Sequence, residues 1–308
     1  DRPPELIIQD ELHLIASELG SVAGLYEAGI ETVLTMRGVQ PKYVASTATI
    51  RMAGEQVERL YGREAAVFPP PGLDCKDSFF ARTVPLTEKP GRLYVGYLAP
   101  ARMQTECFAP LAGALLAAPE ILFKDSGSDS SALMDAWWTV LAYHGSLKGV
   151  GNSRNALNDI ENFIDRYQAE WQERINREDI QLANDVVPEW TRLQGLAERL
   201  TQLTSRMTAD ENAHTFNRLG LAWSDPQGLD LVLATNMVSV GLDVSRLAVM
   251  IMNGQPLTVS EYIQASSRVG RGDVPGFVVA NYYRSQARSL SHYEGFRGFH
   301  ESFYRHVE

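Results

Sequence analysis

The last third of the chain constrains the fold most. Three short apolar runs, Asp230 to Ala234, Leu247 to Met252 and Phe277 to Asn281, each read as a buried strand, with a helix over Ser260 to Ser267 between the last two. Buried strands joined by helical crossovers pair in parallel and need helices on both faces. The earlier chain repeats the alternation. Strands are expected at Leu6 to Ile8, Lys42 to Ala45, Ala65 to Phe68, Arg92 to Leu98, Trp138 to Tyr143 and Leu200 to Leu203. Helices are expected at Ser17 to Met36, Glu55 to Tyr61, Met103 to Ala117, Asn155 to Ile175, Asp210 to Leu219 and Ser285 to Val307. The fold class is therefore α/β with mostly parallel sheets.

The 308 residues fit one large or two ordinary domains at about 100–200 residues each. Regular structure breaks at Pro69-Pro70-Pro71-Gly72 and again at Pro90-Gly91, so a boundary is placed at 88/89. The segment 1–88 is the first domain and 89–308 the second, with an acidic helical insert at about 152–198. No apolar run approaches the roughly 20 residues of a membrane span. Two distant cysteines, Cys75 and Cys107, make neither a disulfide framework nor a zinc site, and suit a reducing cytoplasm. The formal charge of −10 disfavours a generic basic surface for nucleic acid, so any phosphate contact must be local.

Four short segments carry chemistry. Asp10-Glu11-Leu12-His13 puts two carboxylates at a strand's end, where they suit a Mg²⁺ ion or a positioned water. Ser46-Thr47-Ala48-Thr49 puts hydroxyls at the end of the next strand, able to relay hydrogen bonds or to cap a helix. Thr235-Asn236 opens a loop with Gly241 at a possible close approach and Asp243 beyond it, suited to a phosphate and a ribose hydroxyl. Gln264 lies on the helix that delivers Arg268 and Arg271, whose forked charges suit phosphate oxygens, with Gly270 and Gly272 permitting the turn.

In this order the segments resemble the superfamily 2 helicases, which are built from two tandem RecA-like domains. Asp10 to His13 is similar to motif II in its Asp-Glu-x-His form, Thr47-Ala48-Thr49 to motif III, Thr235 to Val244 to motif V, and Gln264 to Arg271 to motif VI. Further stretches resemble the DrmA-type helicase family of the DISARM anti-phage system. These are Pro4 to Ile15, Phe68 to Asp74 with Asp77 to Phe80, and His292-Tyr293-Glu294 with Phe299 to Tyr304.

The resemblance implies an ATP-dependent motor on nucleic acid, with DNA and a defence-system protein as partners, ATP and Mg²⁺ as cofactors, and no membrane. Asp10 and Glu11 would serve the metal and the attacking water, with Arg268 and Arg271 as arginine fingers. His13, Gly241, Asp243 and Gln264 would attend the nucleotide. Ser46, Thr47 and Thr49 would couple hydrolysis to movement, and Thr235, Asn236 and Arg206 would touch nucleic acid. Two departures from the pattern are mild: Ser267 stands where motif VI usually has Gly, and Gln9 interrupts the apolar strand before the acids. The third is serious, because these residues hold no Walker A loop. Lys148 to Ser153 has its Lys before its glycines and follows motif II, so it reads as a strand-to-helix turn. The chain is therefore expected to be a piece of a longer protein, inactive on its own. Two other readings are a non-catalytic nucleic-acid-binding module that keeps the helicase fold, and a scaffold that docks through the acidic 152–198 helices.

Overall fold

The computed structural model describes residues 2–15, 17–47, 53–70, 77, 79–80, 82–102, 104–123, 130–177, 195–239 and 242–302. The chain divides into two compact units, Asp1–Val84 with Tyr304–Glu308, and Pro85–Phe303.

In the first unit β1 (Leu6–Gln9) and β2 (Lys42–Ala45) pair in parallel, with Leu6 opposite Lys42 and Gln9 opposite Ala45. The crossover is the 20-residue helix α1 (Ser17–Met36), and α2 (Ala53–Tyr61) packs on it. Gly38, at φ 71°, ends α1: the Val39 amide reaches back to the Leu34 carbonyl at 3.0 Å, closing the last turn. Helical spacing located α1 correctly, but its apolar stripe does not form a core. Leu34 is buried, whereas Leu19, Val22, Tyr26 and Val33 are all more than half exposed. A two-stranded sheet offers too little surface to cover such a helix. The strand expected at Ala65 to Phe68 is irregular, and Val67 and Phe68 are each 67% exposed.

The second unit is built on a six-stranded, wholly parallel sheet. Its strands are β3 (Leu93–Leu98), β4 (Val140–His144), β5 (Leu200–Leu203), β6 (Leu231–Ala234), β7 (Val249–Asn253) and β8 (Phe277–Tyr282), in the spatial order β3-β8-β7-β4-β6-β5. The central β4, β6 and β7 are apolar runs buried on both faces, which is why they read as continuous rather than alternating patterns. Helices α3 (Gln104–Phe123), α4 (Ser130–Trp138), α5 (Leu147–Asn155), α6 (Leu157–Asn176), α7 (Ala209–Leu219), α8 (Val259–Ser266), α9 (Ala287–Glu294) and α10 (Phe296–Glu301) complete the unit.

Five expectations are corrected here. Helix α3 runs to Phe123, six residues past Ala117, and passes through Pro110 and Pro119. From Glu106 to Phe123 it is long and apolar enough to cross a membrane by length and composition, so the view that no such run exists does not hold. Most of that stretch is packed inside the unit, which accounts for apolar residues on every side. Second, Trp138 closes α4, and the strand begins only at Val140. Third, Lys148 to Ser153 lies inside α5, whose N-terminus is capped by Ser146 accepting from the Gly149 amide at 3.1 Å. Fourth, α6, which lies in the expected acidic insert, is part of the core. Ile160 and Ile164 are fully buried against α3, and a Cβ on Gly113 would sit 2.6 Å from the Phe163 Cβ, so that glycine lets the two helices touch. Within this contact the Gln168 amide donates to buried Glu120 at 3.1 Å. Fifth, the tail expected as one helix is broken at Gly295 into α9 and α10.

The amino-terminal edge of this sheet is held by a buried ion pair. The Asp230 carboxylate accepts from Arg199 Nε at 2.9 Å and from Trp138 Nε1 at 2.6 Å. Arg246, beside it, donates to the Leu219 and Asp135 carbonyls and to Thr139 Oγ1.

Candidate functional site

In the first unit the parallel register sets the acidic pair beside the hydroxyl pair. Because Gln9 faces Ala45, the next residues of each strand, Asp10 and Ser46, emerge side by side at the carboxyl edge. Ser46 Oγ donates to Asp10 Oδ1, and the Glu11 amide donates to the same oxygen at 2.9 Å. These two bonds, the Ser46 hydroxyl first, hold the Asp10 carboxyl below its ordinary 3.8 and keep it an anion. His13 Nδ1 lies 3.2 Å from Thr47 Oγ1 and 3.4 Å from Glu11 Oε2, closing a second link between the same two strand ends.

Glu11 takes up φ 52°, the left-handed region that favours glycine. A non-glycine residue held there costs on the order of 1–3 kcal/mol, and such strain concentrates where a side chain must be aimed. The turn that follows is pinned by Gln56 of α2, whose amide donates to the Leu12 and Ile15 carbonyls at 2.8 and 2.7 Å. Thr49 lies outside the described residues.

In the second unit the expected residues fall at opposite edges of the sheet. At the carboxyl edge, Thr235 follows β6 and is buried, with Asn236 exposed beside it. The Thr235 amide donates to the Leu203 carbonyl at 3.1 Å, so the exposed Arg206, which follows β5, belongs to the neighbouring strand end. At the amino edge are Asp243, Arg268 and Arg271. Arg268 and Arg271 both direct a guanidinium nitrogen at the Leu242 carbonyl, at 3.0 and 3.4 Å, and Arg271 also reaches Asp243 at 2.7 Å. Gln264 is half-buried on α8, one turn before Arg268. Gly241 lies outside the described residues.

Three groups were not singled out from the sequence. Tyr143, on β4, donates to Glu261 of α8, and burial first, then that carboxylate, pushes its hydroxyl pKa up. His144 is buried to 1% exposure, and its pKa is pushed down to about 4 by that burial. Its Nδ1 lies 3.0 Å from Asn253 Nδ2, while Asn253 Oδ1 accepts from Asn281 Nδ2 at 2.8 Å and from the Tyr283 hydroxyl. The carboxyl ends of β4, β7 and β8 are thus tied by side chains. Arg92 is the third: its Nε donates to the Val269 carbonyl between the two arginines at 2.9 Å. A polar residue ending an apolar run was the signal available for His144 and Asn253; Arg92 carried none.

The two carboxylates suit a hard cation, and Asp10 is held charged by its two hydrogen bonds. Among the described residues no cluster of three or more His, Cys, Asp or Glu side chains could cage a metal by itself. That donor set fits Mg²⁺, which keeps waters and is held by one or two carboxylates together with substrate phosphates.

Residues 178–273 match the family described as helicase conserved C-terminal domain. Over 99% of its length the chain is 39% identical to the DISARM protein DrmA of Bacillus paralicheniformis, and it spans 26% of that relative. Two solved helicases share the fold of this chain. The DUF1998 helicase MrfA bound to DNA and AMPPNP matches at TM-score 0.60 and 17% identity, over 96% of this chain and 33% of that one. The Mycobacterium smegmatis helicase Lhr bound to ssDNA and AMP-PNP matches at TM-score 0.55 and 14% identity, over 97% and 31%. Parallel sheets with flanking helices are the RecA-like helicase fold, and the resemblance to helicases and to the DISARM protein DrmA is borne out.

Proposed function

We propose that the chain is part of an ATP-driven motor that moves on DNA in anti-phage defence. The observation that carries this reading is the convergence of Arg268 and Arg271 on the Leu242 carbonyl beside Asp243. Two permanent cations aimed at one point are a phosphate site in waiting, since guanidiniums match phosphate oxygens in charge and shape. In the first unit, Asp10 and Glu11 would hold Mg²⁺ and position a water, and the metal would neutralise developing phosphate charge. The Ser46–Asp10 and His13–Thr47 bonds couple the acidic strand end to its neighbour, a route by which loss of a phosphate shifts the second strand. Thr235, Asn236 and Arg206, at the other edge of their sheet, take the nucleic-acid backbone, which positions without reading sequence.

No Gly-Lys-Ser or Gly-Lys-Thr phosphate loop occurs in these 308 residues, so turnover is assigned to the full polypeptide. In that protein, Arg268→Ala and Arg271→Ala are each expected to lower ATP hydrolysis by roughly 10³–10⁵ while DNA binding persists. A wild-type protein that binds DNA without hydrolysing ATP would make the fold a binding module.

A further inference from the structure

Two flexible side chains meet at Leu242 only if the backbone between them is fixed, and the fixing residues come from far away in sequence. Gly270, at φ 66°, donates its amide to the Leu247 carbonyl at 2.8 Å. A Cβ on Gly270 would lie 2.5 Å from the Gly276 backbone, so the turn is pressed directly onto Gly276. A Cβ on Gly276 would in turn lie 2.8 Å from Arg92 Cγ. The Arg92 stem therefore backs the turn, its Nε holds the Val269 carbonyl at 2.9 Å, and the Leu93 amide holds the Gly276 carbonyl at 2.8 Å. Two residues on, and so on the same side of an extended segment, the Tyr94 hydroxyl lies 3.1 Å from Ser266 Oγ at the last residue of α8. The start of β3 thus grips the arginine segment before and between its two charges. At the other end of α8, Tyr262 is fully buried with its hydroxyl 3.1 Å from His300 Nε2 of α10, so the helix itself is anchored too.

We propose that Arg92 is a positioning residue for Arg268 and Arg271: by holding the Val269 carbonyl it makes both guanidiniums leave the backbone toward Leu242 and Asp243. Arg92 is assigned no contact with nucleotide or water. It acts through the peptide between the fingers, and Tyr94 assists through Ser266. The inference rests on the finger reading proposed above. A displacement of about 1 Å at such a group can cost up to about a hundredfold in rate, so the effect is expected on turnover rather than on affinity.

The test is made in the full polypeptide with Arg92→Met, which keeps the stem and loses the Nε–H donor, and Arg92→Lys, which keeps stem and charge. Both are expected to lower kcat by about tenfold or more with KM for ATP within about twofold, and Arg271→Ala added to Arg92→Met should lower it far less than Arg271→Ala alone lowers the wild type. Hydrogen exchange, which needs no turnover, is expected to show loss of protection in a peptide spanning 267–273 of Arg92→Met, with β4 and β6 unchanged. Wild-type kcat together with unaltered exchange in 267–273 overturns the positioning role. Absence of ATP hydrolysis in the wild type overturns the motor reading instead; exchange in 267–273 then decides whether Arg92 holds the segment.

Discussion

Asp243 accepts a hydrogen bond from the Arg271 guanidinium at 2.7 Å across 28 residues of sequence. The Asp243 side chain is 84% exposed, and exposed pairs of this kind contribute only about 0–1 kcal/mol. Stability is therefore a poor account of the contact, whereas orientation of Arg271 is a good one. Asp243→Asn is expected to shift the free energy of unfolding by less than about 1 kcal/mol and to reduce ATP hydrolysis by about tenfold. Urea unfolding of the chain and steady-state turnover of the full protein check the two halves separately. A large loss of stability would move Asp243 into the scaffold.

Ser46 is expected to tune Asp10. Its hydroxyl is the main cause of the lowered Asp10 pKa, with the Glu11 amide second. Ser46→Ala should raise that value toward the ordinary 3.8 without reaching it, since the amide bond remains. A lowered carboxyl favours the folded state above the unfolded pKa, and this contribution disappears as pH falls through the folded value. The difference in stability between wild type and Ser46→Ala is thus expected above about pH 4 and should vanish in stronger acid. Carbon-detected NMR titration of Asp10 reads the shift directly; identical titrations in the two proteins would dismiss the bond.

His144 gives the second unit a wider acid response. Burial pushes its pKa down to about 4 from an ordinary 6.5. The neutral ring is the form that fits, so stability is full above pH 6.5 and declines as pH falls toward 4. A difference of this size corresponds to about 3 kcal/mol as an order of magnitude. Urea midpoints across this interval should fall steeply for the wild type and less steeply for His144→Gln. Parallel curves would mean that other groups carry the acid response.

The sheet of the second unit was legible because its strands are short apolar runs with turn residues between them. Val140 to Tyr143, Leu231 to Ala234 and Val249 to Met252 are buried on both faces, so local composition and tertiary environment agree. The acidic and arginine segments drew notice for a different reason: carboxylates at a strand end and paired guanidiniums after a helix are groups suited to a cation and to phosphate oxygens. What stayed hidden depends on partners remote in sequence. Gly113 looks like an ordinary helical glycine until α6 lies against it, and Arg92 looks like a solvated strand end until the Val269 carbonyl arrives 177 residues later. The Ala65 to Phe68 strand failed because β-forming residues make a strand only where a neighbour pairs with them. The left-handed Glu11 was invisible because nothing in Asp-Glu-Leu-His signals a positive φ.

ATP hydrolysis by the full polypeptide, measured with and without single-stranded DNA for the wild type and for Glu11→Gln, tests the central claim most directly. The motor account predicts DNA-stimulated turnover in the wild type and a loss of roughly a thousandfold or more in Glu11→Gln, with DNA binding unchanged. Turnover that survives Glu11→Gln, or a wild type that binds DNA and hydrolyses nothing, would contradict it.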